Sequence, residues 1–250
     1  SLKAMKNLIN KPLSYSAIKE FGKSPAHYLA YRNKEKKSTP AMELGTAIHK
    51  AVLENEDFYK EYQLCEHRKN TIKYKEKLKE GKKLLTNSEW YTISRIVDSI
   101  EEHKLAKELL DNSTRFELNV EREIKGIPFR GIVDIFGVDY IADLKTTSNG
   151  SPSEFQRSCY NFKYYLQAAI YLELTGKEDF WIITAETVAP FNVTPYKLDK
   201  EYIERGKKEL YYLIQKYREW LDCTDGIYTG YDYDLEDEKY FILKAPNWAK

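Results

Sequence analysis

The hydrophobic pattern of this chain changes its period near residue 112, and this change constrains the fold more than any other feature. Before it, apolar residues recur at helical spacing. After it, RFELNVEREI (115–124) alternates for most of its length, KGIP marks a turn, and FRGIVDIFG (129–137) and YIADLKTT (140–147) indicate two further strands. The pattern predicts a three-stranded meander behind a helical N-terminal part.

Further helices and strands are predicted on both sides of the meander. Ser14 or Ser16 caps a short helix that ends at Gly22, and Ser24 caps a second helix over PAHYLAYR. The other predictions are a loop over 33–40, helices over 41–54, 86–111, 160–174 and 199–221, strands over 179–188 and 192–198, and a basic segment of low apolarity over 65–83.

The order of these elements favours one α/β domain with a mixed central β-sheet flanked by helices. Residues 1–111 form its mostly helical N-terminal part, residues 115–222 its α/β core and residues 223–250 a C-terminal tail without a clear period. Because no linker rich in Pro, Gly or Ser divides the chain, we predict a single domain over residues 1–250.

Composition places the chain among soluble globular proteins, with 42% hydrophobic and 32% charged residues. It has no apolar run of the ~20 residues that span a bilayer and no apolar stretch typical of a signal peptide, so we expect a cytoplasmic protein with no membrane partner. Cys65, Cys159 and Cys223 are scattered and lack CxxC spacing, which predicts reduced thiols rather than a disulfide framework or a dedicated zinc or iron-sulfur site.

Charge is distributed unevenly, although the formal net charge is only +1. Residues 1–37 carry nine Lys/Arg and two acids, and residues 68–83 carry eight and two, whereas residues 201–239 carry six and eleven. The two basic regions could follow a phosphate backbone, or they could be ordinary solvated surface.

Two acids and a lysine interrupt the apolar strands. Asp134 follows GIV in the second strand, and Asp143 and Lys145 lie two residues apart in the third, so their side chains share one face of the sheet. A short hairpin would bring Asp134 beside Asp143, where two carboxylates repel each other unless a cation neutralises them. Mg²⁺ binds through one or two carboxylates together with substrate phosphate, so the pattern indicates phosphodiester hydrolysis. The alternative is an exposed Asp143–Lys145 ion pair on an edge strand.

Four ordered motifs resemble those of a known nuclease group: GTAIH (45–49), GIVD (131–134), DLK (143–145) and QAAIY (167–171). Together they resemble the PD-(D/E)XK nuclease superfamily in its RecB-like branch, and most of all the RecE-type exonucleases (exonuclease VIII) of phage recombination systems. The likeness covers roughly residues 14–195. It implies a PD-(D/E)XK nuclease core.

The resemblance implies a metal site. His49, Asp134 and Asp143 would bind Mg²⁺, for which Mn²⁺ substitutes, with the Leu144 carbonyl as a further ligand and Lys145 as a catalytic residue. By its position alone, a lone histidine beside an apolar helix face is more often a core residue, and only the Gly-x-x-x-His pattern reverses this preference.

A glutamate on the preceding strand often completes such a site. We expect Glu121 to be this catalytic residue, in preference to Glu117 or Glu123. All three alternate on one face of the predicted strand, which could also be its solvated side.

Six further side chains are predicted to contact DNA. Gln167 and Tyr171 lie four apart on one helix face, and Tyr160 and Tyr164 continue that stripe. Core packing is an equal alternative for Tyr171. Thr146 and Thr147 could donate hydroxyl hydrogen bonds to a phosphate.

The opening SYSAIKEFGKSPAHYLAYR also resembles the N-terminal segment of RecB-like nucleases. Some of these have a cluster-binding cysteine just before the proline, where this chain has Ser24. Three cysteines cannot supply a four-cysteine cluster, so we expect no iron-sulfur cluster. This difference favours the RecE type.

The resemblance implies an exodeoxyribonuclease that digests linear double-stranded DNA, 5′ to 3′, and leaves 3′ overhangs for recombination by strand annealing. It also implies a RecT-type annealing protein as partner and a homo-oligomeric ring, with a tetramer favoured. The alternatives are a RecB-like nuclease module that acts on single strands or within a larger complex, and a DNA-binding module without catalysis.

Overall fold

The helical N-terminal part begins where the sequence predicts it. The computed structural model describes residues 11–34, 37–67, 70–222, 230, 231 and 246. Ser14 Oγ accepts a hydrogen bond from the Ala17 N–H, and Ser24 Oγ accepts one from the His27 N–H, so both caps are confirmed. The first helices of the described part are α1 (Tyr15–Phe21), α2 (Pro25–Asn33), α3 (Pro40–Leu53) and α4 (Asn55–Glu61).

The basic segment after α4 contains two strands and a helix that its composition does not predict. Strands β1 (Tyr62–Leu64) and β2 (Lys83–Leu85) pair in parallel, and α5 (Ile72–Leu78) connects them. None of the α5 residues is buried, which fits the low apolarity of the segment.

The helix predicted over residues 86–111 is in fact two helices, α6 (Asn87–Glu102) and α7 (Lys104–Asp111). His103 between them has an extended backbone, with φ −84° and ψ 104°. Its Nδ1 accepts a hydrogen bond from the Ala106 N–H and so caps α7. The prediction of one helix was wrong because the residue that breaks it is neither Gly nor Pro.

A five-stranded mixed sheet forms the centre of the fold, in the order β3-β4-β5-β6-β7. The first three strands form the predicted antiparallel meander, β6 then runs parallel to β5, and β7 runs antiparallel to β6. The mixed sheet of the prediction is confirmed. Its strands are β3 (Ser113–Ile124), β4 (Ile127–Gly137), β5 (Tyr140–Thr147), β6 (Asp179–Glu186) and β7 (Val193–Lys197).

Two helices, not one, make the crossover between the parallel strands β5 and β6. They are α8 (Pro152–Asn161) and α9 (Tyr164–Thr175). Lys163, just before α9, has a left-handed backbone with φ 58°, which redirects the chain between them. The prediction of one helix over 160–174 was therefore wrong at its N-terminal end.

Helices cover both faces of the central sheet. On one face, α1, α9 and the last helix, α10 (Lys200–Asp222), pack on a core that includes Ile141 and Ile182. On the other face, α3, α6 and α7 pack on a core that includes Leu144 and Ile183. This arrangement explains why the central strands are apolar on both faces and why a charged residue among them stands out.

The contact between α9 and α10 depends on a glycine. A Cβ added at Gly206 would lie 2.2 Å from the carbonyl oxygen of Tyr165, which is a backbone atom that cannot yield easily. We expect Gly206→Ala to lower the free energy of unfolding by about 1–3 kcal/mol, despite the better helix propensity of alanine. Urea unfolding measures this, with Lys208→Ala, an exposed change in the same helix, as control. Equal stability of the two variants would contradict the close contact.

Within the described residues, every helix is too short or too polar to cross a bilayer. Cys65 and Cys159 are buried free thiols. Cys223, the predicted C-terminal tail apart from residues 230, 231 and 246, and the first ten residues of the N-terminal basic region lie outside the described residues.

Candidate active site

The acid and the lysine of DLK meet on β5. Ile141 packs in the α9–α10 core, whereas Leu144 packs in the α3–α6 core, so Asp143 and Lys145 point towards α9. Lys145 Nζ lies 2.5 Å from Asp143 Oδ2. The side chain of Asp143 is only 4% exposed, which distinguishes this pair from an ordinary surface ion pair.

Asp134 lies beside Asp143 on the neighbouring strand. β4 and β5 pair at Ile135 with Ala142, which places the two acids at the next position of the register. Here Asp134 Oδ2 accepts a hydrogen bond of 2.8 Å from the Leu144 N–H. Asp134 therefore lies within β4, which continues to Gly137.

Two further side chains approach Asp134. His49 Nδ1, from α3, lies 3.5 Å from Asp134 Oδ2 and 3.9 Å from Glu117 Oε1, from β3. One possible ligand atom from each of His49, Glu117 and Asp134 lies within 4.8 Å of the others. The GTAIH helix and the meander thus bring a histidine and two carboxylates together.

The sheet is irregular where these carboxylates meet. Val133 packs in the α9–α10 core, but Ile135 packs in the opposite core, although residues two apart in a regular strand share a face. On β3, Glu117 has a positive φ of 48°, which is uncommon for a residue other than glycine. β4 therefore changes its alternation at Asp134, and β3 has an unusual backbone at the facing residue, Glu117.

The strand register brings another glutamate to Asp134. Glu117 lies between the Phe116–Ile135 and Leu118–Val133 pairs and so faces Asp134. Glu121 is exposed and lies in register with Arg130, four residues along β3 from Glu117 and therefore about 13 Å away. Glu123 is exposed as well. The structure thus brings Glu117, rather than Glu121, to Asp134, although alternation alone makes the three glutamates equivalent.

Helix α9, which carries the Gln-x-x-x-Tyr motif, contacts Asp143 and the strand that carries Asp134. Gln167 Nε2 donates a 2.6 Å hydrogen bond to Asp143 Oδ1. The Tyr171 ring lies against β4 at Gly131, where an added Cβ would be only 2.7 Å from the ring, so the glycine of GIVD makes room for it. Burial, followed by the charges of Asp143 and Asp134, raises the pKa of Tyr171 to about 12. Both residues lie at the site.

The predicted tyrosine stripe reaches the site in part. Lys145 Nζ lies 4.9 Å from the ring centre of Tyr164, so this residue belongs to the site. Tyr160 does not continue the stripe, because the chain turns at Lys163. Its hydroxyl instead accepts a hydrogen bond from Arg205, in a groove between α8 and α10.

The two threonines after Lys145 have different surroundings. Thr146 follows the alternation of Leu144 and points to the α3 side, away from Lys145. The Thr147 hydroxyl donates to the Asn149 carbonyl and accepts from the Asn149 N–H, so it stabilises the turn after β5. Their predicted contact with a phosphate stays a prediction.

Burial and like charges act together on this cluster. Burial, followed by the charge of Asp143, raises the pKa of Asp134 to about 7. Burial alone would lower the pKa of Lys145, but Asp143 and Asp134 more than offset it and raise that pKa above its usual value, so the amine stays charged. For His49, burial is likewise outweighed by Glu117 and the two aspartates, which raise its pKa.

The residues fit a hard divalent cation. A charge of +2 beside Asp134 and Asp143 would remove the repulsion that raises the pKa of Asp134. His49 and Glu117 complete the donor set, and their side chains are 27% and 31% exposed, which leaves access for substrate. Carboxylate oxygens are the ligands that Mg²⁺ prefers.

The family of the chain follows from a comparison with family models. One model, described as a PDDEXK-like domain of unknown function (DUF3799), matches residues 14–224. The chain belongs to this PDDEXK-like family. Membership confirms the PD-(D/E)XK resemblance and the predicted fold class, and it spans both the helical front part and the α/β core. The likeness to the RecE type in particular stays a prediction.

A solved structure shares the fold of this chain. A protein from Eubacterium rectale, described as a candidate exonuclease, matches with a TM-score of 0.60 and 15% identity, over 86% of this chain and 84% of that chain. A phage-related exonuclease from Haemophilus somnus 129PT matches over 87% of this chain and 97% of that chain at 17% identity, with a TM-score of 0.39, too low to compare the folds. No curated protein matches the chain.

The PDDEXK-like site also includes two residues that sequence reasoning missed. Lys19 Nζ, on α1, lies 3.3 Å from the hydroxyl of Tyr15, which in turn donates to the carbonyl of Phe162. Burial, and after it the neighbouring Tyr164 and Asp143, raises the pKa of Tyr15. The i, i+4 spacing of Tyr15 and Lys19 on one helix face was the available signal.

Proposed function

We propose that the chain is a Mg²⁺-dependent exodeoxyribonuclease that degrades linear double-stranded DNA from its ends. The observation that carries this proposal is the cluster of Asp134, Asp143 and Lys145 on two adjacent strands, with His49 and Glu117 beside Asp134. Family membership supports the nuclease class.

Each side chain has a role that follows from its position. His49, Glu117, Asp134 and Asp143 would hold Mg²⁺, with the Leu144 carbonyl as a further ligand. A bound ion would supply the positive charge that lowers the pKa of a water molecule and neutralises charge on the phosphate.

Lys145 supplies a further positive charge at the site. It is held by Asp143 at 2.5 Å and stays protonated, so it can orient the water and stabilise the negative charge that develops on the phosphate oxygens. The water oxygen bonds to phosphorus, one phosphorus–oxygen ester bond breaks, and the leaving oxygen takes up a proton.

Two hydrogen bonds fix the acids for this task. The Leu144 N–H orients Asp134, and the Gln167 amide orients Asp143. Such partners of metal ligands hold the ligand in one orientation and raise its effectiveness. Tyr171 and Tyr164 line the approach from the α9 side.

The finer parts of the proposal follow from the RecE-type resemblance. They are digestion from 5′ to 3′, 3′ overhangs that a RecT-type protein anneals, and a ring of identical subunits, with a tetramer favoured. A ring would let a chain of net charge +1 enclose DNA within its basic surfaces.

Digestion assays with different DNA substrates test the proposal. Linear duplex, closed circular duplex, and linear and circular single strands are incubated with Mg²⁺ or with a chelator, and duplexes labelled at the 5′ or 3′ end report polarity. We expect Mg²⁺-dependent loss of the linear duplex alone, with early release of the 5′ label.

Two results would refute this. Degradation of circular single strands would favour the single-strand nuclease, and intact DNA in both Mg²⁺ and Mn²⁺ would favour a binding module without catalysis. A monomeric mass in sedimentation would refute the ring.

A further inference from the structure

An aromatic ring lies exposed next to the catalytic lysine. Phe162, between α8 and α9, is 53% exposed. Its ring stacks on Tyr164, with 5.7 Å between the centroids and 26° between the planes, and Lys145 Nζ lies 4.9 Å from the centre of the Tyr164 ring. One face of a fixed aromatic stack is thus open to solvent beside the site.

The stack and the turn hold this ring in place. Phe155 and Tyr196 extend the stack behind Tyr164, with centroid distances of 6.1 and 5.1 Å and interplanar angles of 29° and 19°. The Tyr15 hydroxyl donates to the Phe162 carbonyl, and the left-handed Lys163 sets the direction of the chain. The exposure of Phe162 therefore belongs to a well-supported turn. An apolar ring that stays exposed gives up the free energy of hydrophobic burial. A ring that is exposed and also held in place by its neighbours suits a ligand with a flat face.

A cation lies close to the backbone of Phe162. The Tyr15 hydroxyl that binds the Phe162 carbonyl is 3.3 Å from Lys19 Nζ. Among the residues that the structure describes, no carboxylate lies within ion-pair distance of Lys19, whereas Lys23 pairs with Glu20 at 2.8 Å and Lys163 with Glu209 at 2.6 Å.

The surroundings of Lys19 favour an anion there. Burial lowers the pKa of Lys19, the charge of Glu20 offsets this in part, and the charges of Lys23 and Lys145 lower it further. An incoming anion beside this half-buried ammonium group, which has no ion-pair partner among the described residues, would stabilise its charge.

We propose that Phe162 and Lys19 form a subsite for one nucleotide of the bound DNA strand, with its base stacked on Phe162 and its phosphate on Lys19. The inference rests on the proposed nuclease function and adds residues to it. A base and a phosphate are joined in every nucleotide, which matches an exposed ring and a cation that one tyrosine hydroxyl links. Stacking of this kind tolerates any base, as a nuclease without sequence preference requires.

Binding and cleavage assays test the subsite. Binding of fluorescent DNA with a single-stranded end is measured in the inactive Asp143→Asn protein at several salt concentrations. The steady-state kinetics of the same changes are measured in the active protein. We expect Phe162→Ala to weaken binding at least about fivefold and to raise KM more than it lowers kcat, while Phe162→Trp, which keeps a stacking face, restores both.

The contact of Lys19 with a phosphate is tested by the salt dependence of DNA binding. Loss of one phosphate contact lowers the slope of log affinity against log salt by about 0.7 to 0.9. We expect this change in Lys19→Ala and its reversal in Lys19→Arg. Lys23→Ala, which removes a lysine that already has an acid partner, should leave the slope unchanged.

The control for Phe162→Ala is Tyr91→Ala, which removes a ring of similar exposure, 58%, on the opposite face of the sheet. If wild-type protein cleaves DNA and Phe162→Ala and Lys19→Ala behave like their controls, the subsite is wrong and the nuclease function stands. If wild-type protein neither binds nor cleaves DNA, both proposals fail. Thermal unfolding of each variant identifies any loss that comes from misfolding, and a folded Phe162→Trp with wild-type binding keeps the test decisive.

Discussion

Asp143→Asn is expected to slow DNA hydrolysis by about a hundredfold to a thousandfold or more. The amide keeps the shape of the side chain and can still accept the Gln167 hydrogen bond, but it removes the charge that attracts Mg²⁺ and holds Lys145 at 2.5 Å. Single-turnover cleavage of linear duplex with excess protein measures the chemical step. Asp139→Asn is the matched control, because it makes the same change at an exposed position of the same hairpin.

The pair of variants separates chemistry from folding. Both proteins are expected to show the circular dichroism of the wild type and one cooperative unfolding transition. If Asp143→Asn cleaves at a rate near that of Asp139→Asn, then Asp143 does not act in the reaction and the assignment of the site to β5 fails.

Glu117→Gln is expected to raise the Mg²⁺ concentration needed for half-maximal cleavage at least tenfold, on the order seen when partners of a metal site are lost. Glu117 Oε1 is 3.9 Å from His49 Nδ1 and belongs to the cluster around Asp134, whereas Glu121 is exposed opposite Arg130. Glu121→Gln should therefore behave like the wild type.

Direct binding adds a readout that does not need catalysis. Calorimetric titration with Mn²⁺ should show weaker binding in Glu117→Gln and unchanged binding in Glu121→Gln. The opposite order would restore the interpretation from sequence, in which Glu121 completes the site, and would remove Glu117 from the metal centre.

Much of this architecture can be predicted from the sequence because interactions between residues close together in the chain determine it. The alternation of apolar residues over 115–147 predicts the meander, and the two-residue spacing of Asp143 and Lys145 predicts their contact. Ser14 and Ser24 predict two helix starts because a hydroxyl there can satisfy free backbone N–H groups.

The features that the sequence did not predict share a different cause. His103 breaks a helix and Lys163 adopts a left-handed backbone, although neither residue type signals a break. Glu117, Glu121 and Glu123 share one face of the predicted strand, and the register of β3 with β4 decides which of them faces Asp134. Lys19 and Phe162 lie far apart in sequence, and only the packing of α1 against the turn before α9 brings them together. Tertiary contacts decide such features, and local patterns do not record them.

The short pairing between β4 and β5 limits which substitutions the fold can accept at Asp134. The two strands pair at only two positions, Ile135 with Ala142 and Phe136 with Ile141, and the next amide, Leu144 N–H, is satisfied by the Asp134 carboxylate. Asp134 thus substitutes for a backbone acceptor in the middle of the sheet. Asp134→Ala would leave this buried amide without a partner, whereas Asp134→Asn keeps a side-chain oxygen that can accept its hydrogen bond, so the sheet tolerates loss of the charge at this position better than loss of the oxygen.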